Sequence, residues 1–173
     1  MIPESISFLR REWSLLKRQD SDAEACFICW KHRGDITLPG GVLYEDDLVS
    51  VGHMWGGEGP AYLGYLMVEL KRHVPGLADQ TDEEAQALGV LVARLSRALK
   101  ASEGAEHIYL FVFGDHVPHL HMHLVPRYPG TPQAYWGTRV DEWPDAPRGD
   151  ASVVEVVCER LRQWLAQEQV RSQ

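Results

Sequence analysis

Between residues 116 and 127 the chain reads HVPHLHMHLVPR. Four of its eight histidines fall here, and His119, His121 and His123 alternate with Leu120, Met122 and Leu124. A period of two is the signature of a strand whose side chains point by turns to opposite faces. This segment is therefore expected to lie on a core with Leu120, Met122 and Leu124 and to carry a row of imidazoles on its other face. Residues four apart on a strand are separated by about 13 Å, too far for three short imidazole arms to meet one ion at bonds of roughly 2 Å. At most two neighbours share a metal. A neutral imidazole is a good nucleophile, and adjacent imidazoles orient it or protonate a leaving group near neutral pH. His121 is the one flanked on both sides.

The rest of the chain reads as an α+β arrangement with an antiparallel sheet. Ile6, Leu9, Trp13 and Leu16 have helical spacing, which predicts a helix within residues 1–25. "VLYEDDLVSVGHMW" reads as a strand or hairpin and "LGYLMVELKRHV" as another strand. Thr81 and Glu84 form a capping-box signature ahead of a helix whose buried face is read as Ala85, Leu88, Val92, Leu95 and Leu99. "IYLFVF", a Gly-Asp turn and the histidine strand are expected to pair as a hairpin. Residues 128–150 hold four prolines and read as an irregular covering loop, and Val153, Val154, Val157, Leu161, Trp164 and Leu165 mark a final helix with Cys158 on its inner face. At 173 residues a single domain is expected, divided into the helix of 1–25, a core of 26–127 and a tail of 128–173.

Composition narrows the partners. A formal charge of -8 gives a field that repels polyanions, which disfavours polymeric nucleic acid and leaves room for a small phosphorylated ligand in a local pocket. No apolar run has the length of a membrane span, and the first 25 residues lack a signal-peptide core, so no membrane association and a cytoplasmic location are expected. Of three cysteines, Cys26 and Cys29 form a CxxC. That spacing fits either a zinc site or redox exchange; no βαβ context follows to favour the latter, and a zinc site needs two further ligands, for which His32 is the local candidate.

His119-Leu-His121-Met-His123-Leu-Val matches the His-φ-His-φ-His-φ-φ signature of the histidine triad (HIT) superfamily of nucleotide hydrolases and transferases. With "CFIC", "LYEDD" and "GYLMVELKRHV" upstream in order, residues 26–127 resemble its zinc-containing, hydrolase-like branch. The resemblance implies a sheet of about five strands with flanking helices, a small phosphorylated nucleotide as substrate, and a homodimer. It implies that His121 attacks the α-phosphorus of a nucleotidyl ester, anhydride or phosphoramidate, as in a dinucleoside polyphosphate or nucleoside phosphoramidate, to give a nucleotidyl-histidine that water resolves. His123 would contact phosphoryl oxygens or the leaving group. It further implies a structural zinc held by Cys26, Cys29, His73 and His119, in place of His32. The hexose-1-phosphate uridylyltransferase branch carries glutamine where His123 stands, which favours hydrolysis over nucleotidyl transfer.

The chain departs from this pattern where substrate is held. The family's glycine-glutamine-serine or -threonine run is replaced by Gly114-Asp115-His116, so His116 is a candidate leaving-group acid oriented by Asp115, against a plain turn-capping role for both. Tyr65 stands at a family histidine, and His53 lies where an acid usually binds ribose. Trp136 and Arg127 are candidates for base stacking and phosphate contact. These departures also admit a zinc-stabilised nucleotide-binding module without turnover, or a metal-dependent hydrolase using two triad histidines with His116.

Overall fold

The computed structural model describes residues 23–56 and 59–171, with side chains to 168. The helix read within 1–25 lies outside the described residues, apart from a turn at 23–25. Helix α1 (Phe27–Arg33) follows at once and carries Cys29. It ends because Gly34 turns into the left-handed region at φ 83° and its N–H is taken up by Lys31 and Trp30 carbonyls. This short helix is invisible to periodicity: seven residues give too few turns to show a stripe.

The sheet is antiparallel throughout: β1 (Val42–Glu45), β2 (Val49–His53), β4 (Leu66–Leu70), β6 (His121–Arg127) and β5 (His107–Phe111) lie in the order β1-β2-β4-β6-β5. A separate short ribbon pairs β3 (Ala61–Tyr62) with β7 (Arg148–Gly149), tying the proline-rich segment back to the body. That segment is less irregular than its prolines suggest, with 3-10 turns at Gln133–Tyr135 and Gly137–Glu142. The five strands and flanking helices agree with the α+β expectation.

Two helices cover one face of the sheet. Helix α2 (Asp82–Ser102) and helix α3 (Ala151–Arg171) bury Leu88, Leu95, Leu99, Val157 and Leu161 against Val51, Val68, Leu70, Leu120, Met122 and Leu124. The inner face of α2 is shifted from the one read from sequence: Leu91 and Ala98 are buried while Ala85 is exposed, because the helix contacts α3 as well as the sheet. Cys158 is core, fully buried, and sits so close to Gly40 that a Cβ there would lie 2.5 Å from its sulfur. No helix among the described residues is long and apolar enough to cross a membrane.

The capping box on α2 is formed in full, with Glu84 N–H donating to Thr81 Oγ1 and Thr81 N–H to the Glu84 carboxylate. The same carboxylate receives Nε and Nη2 of Arg72, both at 2.7 Å. The Arg72 hydrogen bonds lead in lowering the Glu84 pKa from 4.5 to about 2. A depressed folded-state pKa supplies stability above the unfolded value that is lost as pH falls through the folded one. The stability difference between the parent and Glu84→Gln is therefore expected to be full at pH 5 and to shrink between pH 4.5 and about 2, as read by urea unfolding of both proteins across that range.

The connection between β5 and β6 corrects the expected Gly-Asp hairpin. The strands do pair, His107 opposite Arg127 and Phe111 opposite His123, but residues 112–120 intervene. Leu120 is held outside β6 by its own bonds, its N–H donating to the Val74 carbonyl at 2.6 Å and its carbonyl accepting from Leu70 N–H. His119 accordingly sits before the strand, not within it.

Candidate active site and metal centre

The face of the sheet away from the helices carries the chemistry. Cross-strand partners share a face, so the register puts Glu69 of β4 beside His121, Met67 beside His123, and Phe111 of β5 on the other flank of His123. His121 and His123 are both buried, with ring centroids 5.0 Å apart.

His121 Nδ1 lies 2.6 Å from the His119 carbonyl oxygen. A carbonyl only accepts, so Nδ1 carries the proton and Nε2 is left with a lone pair. Burial lowers the pKa of His121 against the opposing effect of that hydrogen bond, and so favours the neutral ring. His123 Nδ1 is 2.9 Å from the Tyr65 hydroxyl. With the hydroxyl donating, His123 presents Nε2–H outward. Burial, followed by the neighbouring His121, lowers the His123 pKa to about 3, and burial pushes the Tyr65 phenol far above its ordinary value. The pair thus offers a lone pair and, beside it, a neutral donor.

His119 looks the other way. Its Nε2–H donates to the Leu70 carbonyl at 2.6 Å, and its Nδ1 stands 3.4 Å from Cys26 Sγ and 3.5 Å from Cys29 Sγ. Cys29 Sγ is also 3.4 Å from His73 Nδ1. The ligand atoms of Cys26, Cys29, His73 and His119 all lie within 4.8 Å of one another. Ligands on a shared tetrahedral zinc, with bonds of about 2.3 Å to sulfur and 2.0–2.1 Å to nitrogen, stand roughly 3.6 Å apart, close to the distances seen here. Without a cation, burial and then the adjacent Cys26 push the Cys29 thiol up to about 11; a cation reverses that preference. Two thiols and two imidazoles in a dry niche, one imidazole anchored from behind by a carbonyl, fit a closed structural site.

His32, the local alternative, is outside this set. Its Nε2 is 3.0 Å from Glu69 Oε2, although its ring stands edge-on to His119 at 5.7 Å. Glu69 is 2% exposed and also holds Lys31 Nζ at 2.5 Å. The sequence reading passed over Glu69 and Lys31. The visible signal was a carboxylate in the otherwise apolar strand "LMVEL", two residues before Lys71.

The remaining sequence candidates are placed differently from one another. Tyr65 joins the site through His123. His53 does not: its Nδ1–H donates to the Met54 carbonyl at 2.7 Å and its Nε2 accepts from Gly64 N–H at 2.9 Å, so both ring nitrogens are spent on the backbone. Arg127 lies about 20 Å along β6 from His121, paired with Glu106 and stacked on Trp136 at 3.9 Å. Trp136 also donates its indole N–H to the Thr131 carbonyl. Arg127 and Trp136 therefore brace the covering segment at the far end of the strand. Asp115 and His116 are exposed in residues 112–120, and among the described residues no side-chain hydrogen bond joins them. An exposed aromatic also stands at the triad: Phe113, 39% exposed with its ring 5.2 Å from His123, at the end of a row formed by Tyr109 and Phe111.

A five-stranded antiparallel sheet with paired imidazoles on an inner strand, next to a Cys₂His₂ cluster, defines a histidine triad protein. The HIT domain family matches residues 37–130, and the chain belongs to that family. It is 30% identical over 131 residues to Protein hit of Bacillus subtilis (strain 168), covering 70% of this chain and 85% of that one. A zinc-bound histidine triad family protein from Mycobacterium smegmatis superposes with a TM-score of 0.65 at 22% identity, over 87% of this chain and 99% of its own. A Hit-like protein from Bartonella henselae, described as involved in cell-cycle regulation, gives 0.61 at 21% identity, over 84% and 98%. A histidine triad nucleotide-binding protein from Sulfolobus tokodaii gives 0.63 at 18% identity, over 82% and 93%.

Proposed function

We propose that the protein hydrolyses a nucleotidyl ester, anhydride or phosphoramidate through a covalent intermediate on His121, with zinc as a structural element. The observation that carries this reading is the 2.6 Å bond from His121 Nδ1–H to the His119 carbonyl, which leaves Nε2 as a nucleophile of fixed direction. Nε2 attacks the α-phosphorus, an Nε2–P bond forms, and the bond to the leaving group breaks with its electron pair. Water then attacks phosphorus, the N–P bond breaks, and the pair returns to Nε2 while the water's proton goes to solvent. Splitting one displacement into two is what covalent catalysis contributes. His123, with Nε2–H beside the nucleophile, donates to a phosphoryl oxygen or to the departing atom.

Zinc, when bound by Cys26, Cys29, His73 and His119, holds α1 against the segment leading into β6. The donor set supports this assignment, as does the metal reported in the Mycobacterium smegmatis relative. Nucleotide recognition is supported by the family and by the Sulfolobus tokodaii relative. Phe113 takes over the base-stacking role first assigned to Trp136, being the exposed ring adjacent to His123.

The test is a panel of dinucleoside polyphosphates, nucleoside phosphoramidates and nucleoside 5′-phosphate p-nitrophenyl esters. Turnover on at least one class is expected, with rapid-quench mass spectrometry finding a nucleotidyl adduct on His121. Tight nucleotide binding with no turnover on any class would assign a binding module instead.

A further inference from the structure

Behind the nucleophile lies a buried charge pair that the covalent scheme above leaves unused. Glu69 is the direct cross-strand partner of His121, and the side chains of such partners share a face with Cβ atoms about 5 Å apart. Its carboxylate is 2% exposed and is met by Lys31 Nζ at 2.5 Å and His32 Nε2 at 3.0 Å, both delivered by α1. Lys31 itself is only 14% exposed. Burial opposes ionisation of Glu69, yet Lys31 and His32 outweigh it and hold its carboxyl below the usual range.

A buried ion pair costs desolvation that its own attraction seldom returns, so its place beside a nucleophile calls for another reason. Attack by His121 converts a neutral ring into an imidazolium and brings an anionic phosphoryl group onto it, a separation of charge along the new N–P bond. Fixed charges aimed at such a separation need no rearrangement during the reaction. The loop before the histidine strand offers no fixed cation in their place, since residues 114–116 read Gly-Asp-His with both side chains exposed. The ammonium bonded to the cross-strand partner of the nucleophile is that of Lys31.

We propose that Lys31 is the phosphate-binding cation of this site and that Glu69 is a positioning residue that stabilises positive charge on His121 as the nucleotidyl adduct forms. The ligand class is the α-phosphate of a nucleotidyl compound, so the inference rests on the covalent reading. Substrate draws the Lys31 ammonium onto the phosphoryl oxygens, and Glu69, still bonded to His32, is left facing the imidazolium. Charge is conserved pair by pair: lysine with phosphoryl anion, glutamate with ring cation.

The two roles predict effects of different kind. For Lys31→Met, nucleoside 5′-monophosphates should bind about tenfold or more weakly, the worth of one charge-assisted contact, while uncharged nucleosides bind as in the parent. For Glu69→Gln, monophosphate binding should be unchanged or tighter, since a like charge is removed, while adduct formation from a nucleoside 5′-phosphate p-nitrophenyl ester slows by about tenfold or more. Monophosphate and nucleoside binding are measured by NMR titration, and adduct formation by rapid quench with intact-mass detection on zinc-loaded protein. Because each single variant leaves a buried charge, zinc content and melting are checked alongside, and Lys31→Met/Glu69→Gln, which removes both charges, is carried in parallel and should show weak monophosphate binding together with slow adduct formation. Equal loss of nucleoside and monophosphate binding, or adduct formation within twofold of the parent for Glu69→Gln or the double variant, overturns the proposal while leaving the covalent scheme in place. No adduct on His121 in the parent removes the scheme and the proposal together.

Discussion

Replacing His121 by Ala is expected to lower kcat on the best substrate by about 10⁴-fold or more, the scale on which loss of a covalent nucleophile acts, with the adduct absent by mass spectrometry. The side chain is 6% exposed and bonds only to the His119 carbonyl in the described contacts, so its removal leaves the helix-facing core of Leu120, Met122 and Leu124 untouched. A modest change in melting temperature should accompany the loss. His121→Asn keeps a donor toward the His119 carbonyl and should be equally inactive, which separates the nucleophile from its hydrogen bond. Activity within tenfold of the parent in either variant would end the covalent assignment.

Cys29→Ser is expected to strip the metal and lower the melting temperature by about 10 °C or more, because the binding free energy of a structural zinc is part of the folding free energy. Metal analysis and thermal unfolding read both effects. His73→Ala should behave in the same way, whereas His32→Ala should keep its zinc, since His32 bonds Glu69 and lies outside the donor cluster. A metal-free, unaltered melt for the parent would refute the structural role. Activity should fall with the metal, as His119 faces the sulfur atoms with its ring and sets the His121 tautomer with its carbonyl.

The shared face of His121 and His123 was legible because a period of two leaves one geometric solution, whereas His119, read as the first of the same row, stands before the strand and turns its ring to the sulfur atoms; the capping box at Thr81 was legible because its two hydrogen bonds require those residue types at that spacing. Ligands 73 and 119, far apart in sequence, were reached through likeness to a family, and no spacing rule joins them. The places where the reading slipped share a cause. His53 and Trp136 have the chemistry of ligand contacts, but their ring nitrogens are bonded to backbone carbonyls and a backbone amide, and Arg127 is drawn away by Glu106 and the Trp136 ring; composition does not show which partner a polar atom finds. Glu69 was overlooked for the opposite reason, since a lone carboxylate in an apolar strand announces nothing until the strand pairing sets it beside His121. The Gly-Asp turn failed because Leu120 is bonded to Val74 and Leu70 instead of to β5.

The site is assembled from parts with unequal freedom to vary. His121 and His123 ride on a strand paired on both sides, where a one-residue slip would turn every side chain to the other face and bring both imidazoles into the core. Phe113, Asp115 and His116 ride on residues 112–120, which lie outside the ladder. These three side chains are exposed, so substitutions at them leave the register of the sheet untouched. Lineages descending from such a chain can therefore exchange one leaving group or base for another by editing Phe113, Asp115 and His116, while the bond-making step is inherited unchanged.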